Sequence, residues 1–175
     1  MHLNYSLSQV PDYYKYYIKL IEAKTLAEAY TKYTELTKKA IAELPEEKLS
    51  FSYADGKWTI AQLLIHCFDT ERIFMYRALC FARGEKTKLP GYDENIFSEN
   101  APHKNRSKQD LLDEFISVRY SSLTLLKQLG EAELTRSGNC NNYDVQVWAL
   151  FAMNLGHYIH HLNVMHEKYF AKSLN

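Results

Sequence analysis

Leu155-Gly156-His157-Tyr158-Ile159-His160-His161-Leu162 carries three of the chain's seven histidines inside a long apolar segment without proline. On an α-helix, residues four apart sit one turn above each other, about 40° apart in azimuth. His157 and His161 therefore point the same way and can share one ion. The helix around them is apolar nearly all round: Trp148, Phe151, Leu155, Tyr158 and Leu162 form one broad face, and Leu150, Met153 and Val164 flank the histidines. A helix of that kind belongs in the middle of a fold. The pair then faces protein, where buried polar groups need partners. A metal would be one, because imidazole is the commonest protein ligand for zinc, nickel and similar ions. Two ligands seldom hold such an ion, and His66, inside a second apolar helical run, is the candidate third.

Working outward, the histidine pair lies on a helix expected over about 144–169, with Asp144 as its cap. His66 lies on a helix over 60–83, opened by the capping box Thr59–Gln62 and stopped by Gly84. On its wheel, Leu63, Thr70, Ile73, Phe74, Arg77 and Phe81 fall within about 80° of His66, so the stripe is largely apolar with a few polar groups. Asp69, three residues on, could orient the His66 ring through its second nitrogen. A third helix runs over 107–129 between a Ser107–Asp110 cap and Gly130, and another over 26–44 from Thr25 to Pro45. A shorter one over 11–22 precedes them. No strand-like alternation of any length is present, and 131–143 reads as polar and irregular. The expectation is an all-α single domain over 1–175: a four-helix bundle, up-down, with a long crossover at 84–106 between bundle helices two and three. There Tyr92, Asp93 and Glu94 could cover a site, or the segment could be a plain link with solvated charges.

Composition excludes several classes. The 175 residues hold 21 Lys+Arg against 21 Asp+Glu, and no basic excess or stripe speaks for nucleic acid. No apolar run approaches the ~20 residues of a membrane span, and Met1-His2-Leu3-Asn4-Tyr5 lacks the basic and apolar regions of a secretory leader. The three cysteines, Cys67, Cys80 and Cys140, form no CxxC pair, which fits a reducing cytoplasm. Cys67 points about 100° away from His66 on the helix and reads as a small apolar residue. The 14 tyrosines read as helix–helix packing. HExxH, P-loop, nucleophile-elbow and dinucleotide fingerprints are all missing.

The segments Tyr53-Ala54-Asp55-Gly56-Lys57-Trp58-Thr59 and His66-Cys67-Phe68-Asp69-Thr70-Glu71-Arg72 resemble the DinB/YfiT superfamily. So do Phe81-Ala82-Arg83-Gly84, Leu89-Pro90-Gly91-Tyr92-Asp93 and the late Gly156-His157-x3-His161-Leu162. The resemblance runs from about residue 25 to 167. It implies a four-helix bundle, often a homodimer, with a divalent metal ion, nickel or zinc, held by His66, His157 and His161. It further implies a metal-dependent hydrolase, or a thiol S-transferase whose small-molecule substrate is a low-molecular-weight thiol. The superfamily's name refers to DNA damage and implies no DNA binding. Where many relatives continue with Arg-Gly-Gln after the last ligand, this chain reads Leu162-Asn163-Val164, so its substrate is expected to differ.

Three protein ligands leave a coordination position open, which marks a catalytic rather than a closed structural site. Water there has its pKa lowered towards about 7, and a thiol is deprotonated outright. The other class is a non-catalytic metal-binding dimeric bundle, which would fill that position with protein. His160 reads as an outward neighbour or an alternative ligand, and Glu71 and Arg72 as pairing residues within or between helices.

Overall fold

The computed structural model describes residues 7–170; the Met1–Tyr5 stretch read for a leader lies outside them. Seven helices and one hairpin follow in order: α1 (Asp12–Ile18), α2 (Leu26–Ala42), α3 (Ile60–Ala82), α4 (Glu94–Asn100), α5 (Lys108–Lys127), α6 (Glu131–Leu134), β1 (Ser137–Cys140), β2 (Tyr143–Gln146) and α7 (Val147–Val164). After α7 the chain continues in a wider π turn over Met165–Phe170.

The long helices start where side chains can satisfy their first orphan N–H groups. Thr25 accepts from Glu28 N at 3.1 Å at the head of α2. Thr59 and Gln62 close a capping box on α3, and Ser107 and Asp110 close another on α5. At α7 the structure corrects the expected cap. Asp144 lies in β2, where its carboxylate accepts from Asn139 Nδ2 across the hairpin at 2.8 Å. The helix begins at Val147 behind Gln146, which makes no side-chain cap.

The four-helix bundle is α2, α3, α5 and α7. α3 packs against α7 and α5, and α2 packs against the same two. The cyclic order is therefore α2–α5–α3–α7, with α2 and α3, consecutive in the bundle, at opposite corners. The connection from Glu43 to Thr59 is long enough to make that diagonal. α7 is buried along most of its length, as its all-round apolar sequence requires. α1 lies against it, and Gly156 allows the approach: a Cβ there would sit 2.1 Å from the Tyr17 carbonyl oxygen.

The 131–143 stretch is not irregular. It holds α6 and an antiparallel hairpin with Cys140 opposite Tyr143. Its two-residue turn, Asn141-Asn142, has both φ angles positive, at 49° and 64°. A tight hairpin of this handedness needs that, and asparagine tolerates it. The crossover holds α4, whose N-terminus is capped by Asp93 through Asn95 N and Ile96 N at 2.8 and 3.1 Å. Leu89 bonds to the hairpin on both sides, donating to Asn139 O and accepting from Asn141 N, each at 3.0 Å. Hairpin and crossover thus brace each other at one end of the bundle.

Deep in the bundle, Arg119 of α5 and Glu71 of α3 form a bidentate ion pair, with Nε–Oε1 at 2.8 Å and Nη2–Oε2 at 3.0 Å. The two residues are 1% and 0% exposed. The guanidinium also stacks near Tyr30 of α2 and Tyr158 of α7, 5.3 and 4.6 Å from the ring centroids. Removing one partner of such a pair strands the other's charge. Arg119→Met should lower unfolding free energy by about 3–5 kcal/mol. Glu71→Leu/Arg119→Met should regain at least half of that loss, as read from urea unfolding curves.

Candidate metal centre

His66 projects from α3 and His157 and His161 from α7, across the seam where those two helices pack. The three rings converge. Nε2 of His157 lies 3.0 Å from Nε2 of His66 and 3.0 Å from Nε2 of His161. Ring centroids are 4.9, 5.0 and 4.4 Å apart for the 66–157, 66–161 and 157–161 pairs.

Hydrogen bonding among the rings cannot account for this arrangement. A neutral imidazole has one N–H and one lone pair, so His157 Nε2 cannot satisfy both neighbours. Nδ1 of His157 and of His161 are buried and have no partner at all. Nor do charges help. Burial drives the His66 pKa down to about 4, and burial with the neighbouring imidazoles takes His161 to about 3 and His157 well below its ordinary value. All three are neutral at pH 7. Three neutral imidazoles whose nitrogens lie within 4.8 Å of one another, two of the separations being 3.0 Å, form the donor set of a divalent ion, since bonds of ~2.1 Å leave adjacent donors ~3.0–3.4 Å apart. The residues present fit the ion.

The rings are held from outside. Trp58, just before the α3 capping box, packs on His66 at 4.8 Å between centroids, and Tyr17 of α1 packs on His157 at 5.8 Å. His160 stands apart from the convergence: its Nδ1 meets the Tyr16 hydroxyl at 3.2 Å, and its ring lies edge-on to Tyr17. The expected orienting carboxylate is elsewhere. Asp69 Oδ1 accepts from Arg72 Nη1 at 3.2 Å, and Arg72 also pairs with Glu114 at 2.8 Å. The α3 backbone places Asp69 about 60° from His66, enough to turn it to the α5 side. Glu71 is the interhelix partner of Arg119, and Cys67 is a buried thiol.

Beside the histidines opens a cavity of about 410 Å³, lined by Tyr13, Tyr14 and Tyr17 of α1, Trp58, Thr70, Phe74 and Arg77 of α3, Tyr92, Glu94 and the hairpin's Asn141 and Tyr143. The Thr70 and Tyr92 hydroxyls are 2.7 Å apart, one turn beyond His66. So of the three crossover residues considered as a cover, Tyr92 and Glu94 line the cavity and Asp93 caps α4 instead. Two of the site's walls, α1 and the hairpin, have no local signature in the sequence. The α1 tyrosines read as packing, and nothing local joins them or the hairpin to α3. Their one signal is the cluster Tyr13, Tyr14, Tyr16 and Tyr17 ahead of the bundle.

Comparison with known proteins agrees with the geometry. The profile of the DinB superfamily matches residues 29–165. A protein of Geobacillus thermodenitrificans described as "Putative metal-dependent hydrolase" is 28% identical over 99 residues, which make up 55% of this chain and 54% of the relative. The chain thus matches about half of that relative's length. A solved structure, described as "YfiT from Bacillus subtilis is a probable metal-dependent hydrolase with an unusual four-helix bundle topology", superposes with a TM-score of 0.64 at 18% identity. That superposition covers 83% of this chain and 90% of the other, and shows a shared fold.

The depressed histidine pKa values carry a pH signature. Between about pH 6.5 and 4 the unfolded chain binds protons that the folded metal-free site refuses, so stability falls as pH falls. Scanning calorimetry of metal-free protein should show Tm dropping by on the order of 10 °C from pH 7 to pH 4.5. His66→Gln/His161→Gln should flatten that slope.

Proposed function

This chain belongs to the DinB superfamily, and on that premise we propose that it is a divalent-metal-dependent enzyme acting on small molecules. His66, His157 and His161 are the metal's protein ligands. One observation carries the reading: three neutral imidazoles converge by Nε2 at the wall of a 410 Å³ cavity. A non-catalytic bundle would close that face with protein, and here it is open. Three imidazoles suit zinc or nickel.

A divalent ion held there supplies Lewis-acid polarisation of a substrate oxygen and activation of a water or thiol nucleophile. The chain's own part is to keep the rings neutral and convergent through burial, and to hold the substrate. Trp58 and Tyr17 fix the rings and shield them from bulk water. The Thr70–Tyr92 hydroxyl pair offers a hydrogen bond to a substrate oxygen near the ligands. The description of the Geobacillus relative as a putative metal-dependent hydrolase supports hydrolysis.

Thiol S-transfer is the second reading, and one feature favours it. A second cavity of about 260 Å³ shares Trp58 and His161 with the first and is lined also by Tyr53, Lys57, Asn95 and His160. Two chambers meeting at the histidines give room for two organic reactants, which transfer needs and hydrolysis does not.

No helix among the described residues is long and apolar enough to cross a membrane. The three free thiols support a cytoplasmic location. A homodimer is part of the proposal, and Tyr76 and Leu79 of α3, exposed beside a groove completed by Ser117, Ser121 and Leu125 of α5, give it a face. Sedimentation should then give twice the chain mass, and Tyr76→Glu should halve it.

Purified protein should carry about one divalent ion per chain by elemental analysis. His66→Ala, His157→Ala and His161→Ala should each lose most of it, at least tenfold in affinity. Unchanged metal content in all three rules out this ligand set. Ester and amide panels, then low-molecular-weight thiols with an electrophile, separate the two chemistries.

A further inference from the structure

Arg77 is the unexplained charge of the molecule. It sits on α3 on the same stripe as His66 and is 4% exposed, yet it lines the cavity. One of its five N–H donors goes to the Pro90 carbonyl, through Nη2 at 2.7 Å. Its Nε is buried without a partner. Among the described residues no carboxylate pairs with it; the buried carboxylate of α3 is taken by Arg119. An unpaired buried cation is costly, so a guanidinium in this position calls for an anion from outside the chain.

Its surroundings agree. From α1, the crossover and β1 it faces Tyr14, Tyr92 and Cys140. Burial raises all three pKa values, that of Tyr92 to about 12, so none is an anion near neutrality. Glu94 lines the same cavity without forming an ion pair with Arg77, and it disfavours a ligand with more than one negative charge. The walls between Arg77 and the histidines are aromatic: Tyr14, Tyr17, Phe74 and Tyr143.

We propose that Arg77 is the specificity residue of this cavity, receiving a carboxylate on one end of a substrate whose apolar or aromatic body reaches the three histidines. Arg77 lies three turns beyond His66, about 16 Å of helix rise, and its side chain leans back towards the helix N-terminus. The reacting bond is thereby placed on the order of 10 Å from the carboxylate. A planar guanidinium fork matches a carboxylate in a bidentate pair. The assignment of the histidine end rests on the metal-enzyme reading above. The carboxylate end does not, and it is tested without metal.

The probes are 4-phenylbutyrate, its neutral amide and inorganic phosphate, titrated by calorimetry into EDTA-treated protein. Wild type should bind the carboxylate at least tenfold more tightly than the amide, and phosphate more weakly than the carboxylate. Arg77→Met should erase the carboxylate preference, and Arg77→Lys should keep part of it, with circular dichroism confirming that both fold. If Arg77→Met does not fold, the carboxylate–amide comparison on wild type decides alone. Equal binding of carboxylate and amide overturns the proposal, as does a preference that survives in folded Arg77→Met. Phosphate binding more tightly than 4-phenylbutyrate overturns the carboxylate assignment. None of these outcomes touches the metal content of the histidine variants, so the two readings fail separately.

Discussion

A single guanidinium touches every corner of the bundle. Arg119 leaves α5, forks onto Glu71 of α3, bonds Thr34 of α2 at 3.3 Å and stacks over Tyr158 of α7. Burial alone would pull its pKa down, but the Glu71 carboxylate outweighs this and holds the charge. An ion pair without water tolerates little misplacement, because each partner's desolvation is offset only by good geometry with the other. It therefore sets the relative height of the four helices. Tyr158, against which Arg119 packs, is the residue after His157. The height of α7 that seats the guanidinium is also the height that brings His157 to His66.

The histidine centre is a product of that registry and of dryness. Exposed imidazoles would titrate near 6.5 and repel one another when charged. Buried between α3 and α7, with Trp58 and Tyr17 against them, they stay neutral and keep lone pairs for a cation. The α1 contact exists because Gly156 has no side chain to hold Tyr17 away. One missing Cβ thus admits an aromatic wall to the site one residue before its first α7 histidine.

The cavity is built from parts that are distant in the chain. The hairpin closes one end because Asn141 and Asn142 accept left-handed backbone, and Leu89 ties the crossover to it. Pro90 then presents its carbonyl to Arg77. The long irregular connection is neither a loose link nor a lid. It is a braced wall that carries Tyr92 to Thr70.

Local pattern was enough for the elements whose causes are local. The capping pairs Thr59–Gln62 and Ser107–Asp110, the all-round apolar α7 and the i, i+4 spacing of His157 and His161 each act within a turn or two of helix, so the bundle, its buried helix and the histidine pair could be read directly. Asp144 lies in β2 and does not cap α7, because a cap and a turn-flanking strand residue share the same chemistry and the cross-strand partner Asn139 decides between them. Asp69 accepts from Arg72, three residues on in the same helix, because helical spacing puts both His66 and Arg72 one turn from it and does not choose between them. That α2 and α3 stand at opposite corners, that α1 walls the site, and that Arg77 is left without a counter-charge depend on contacts between residues tens of positions apart. Such contacts are selected by the packing of the whole core, and no short stretch of chain encodes them.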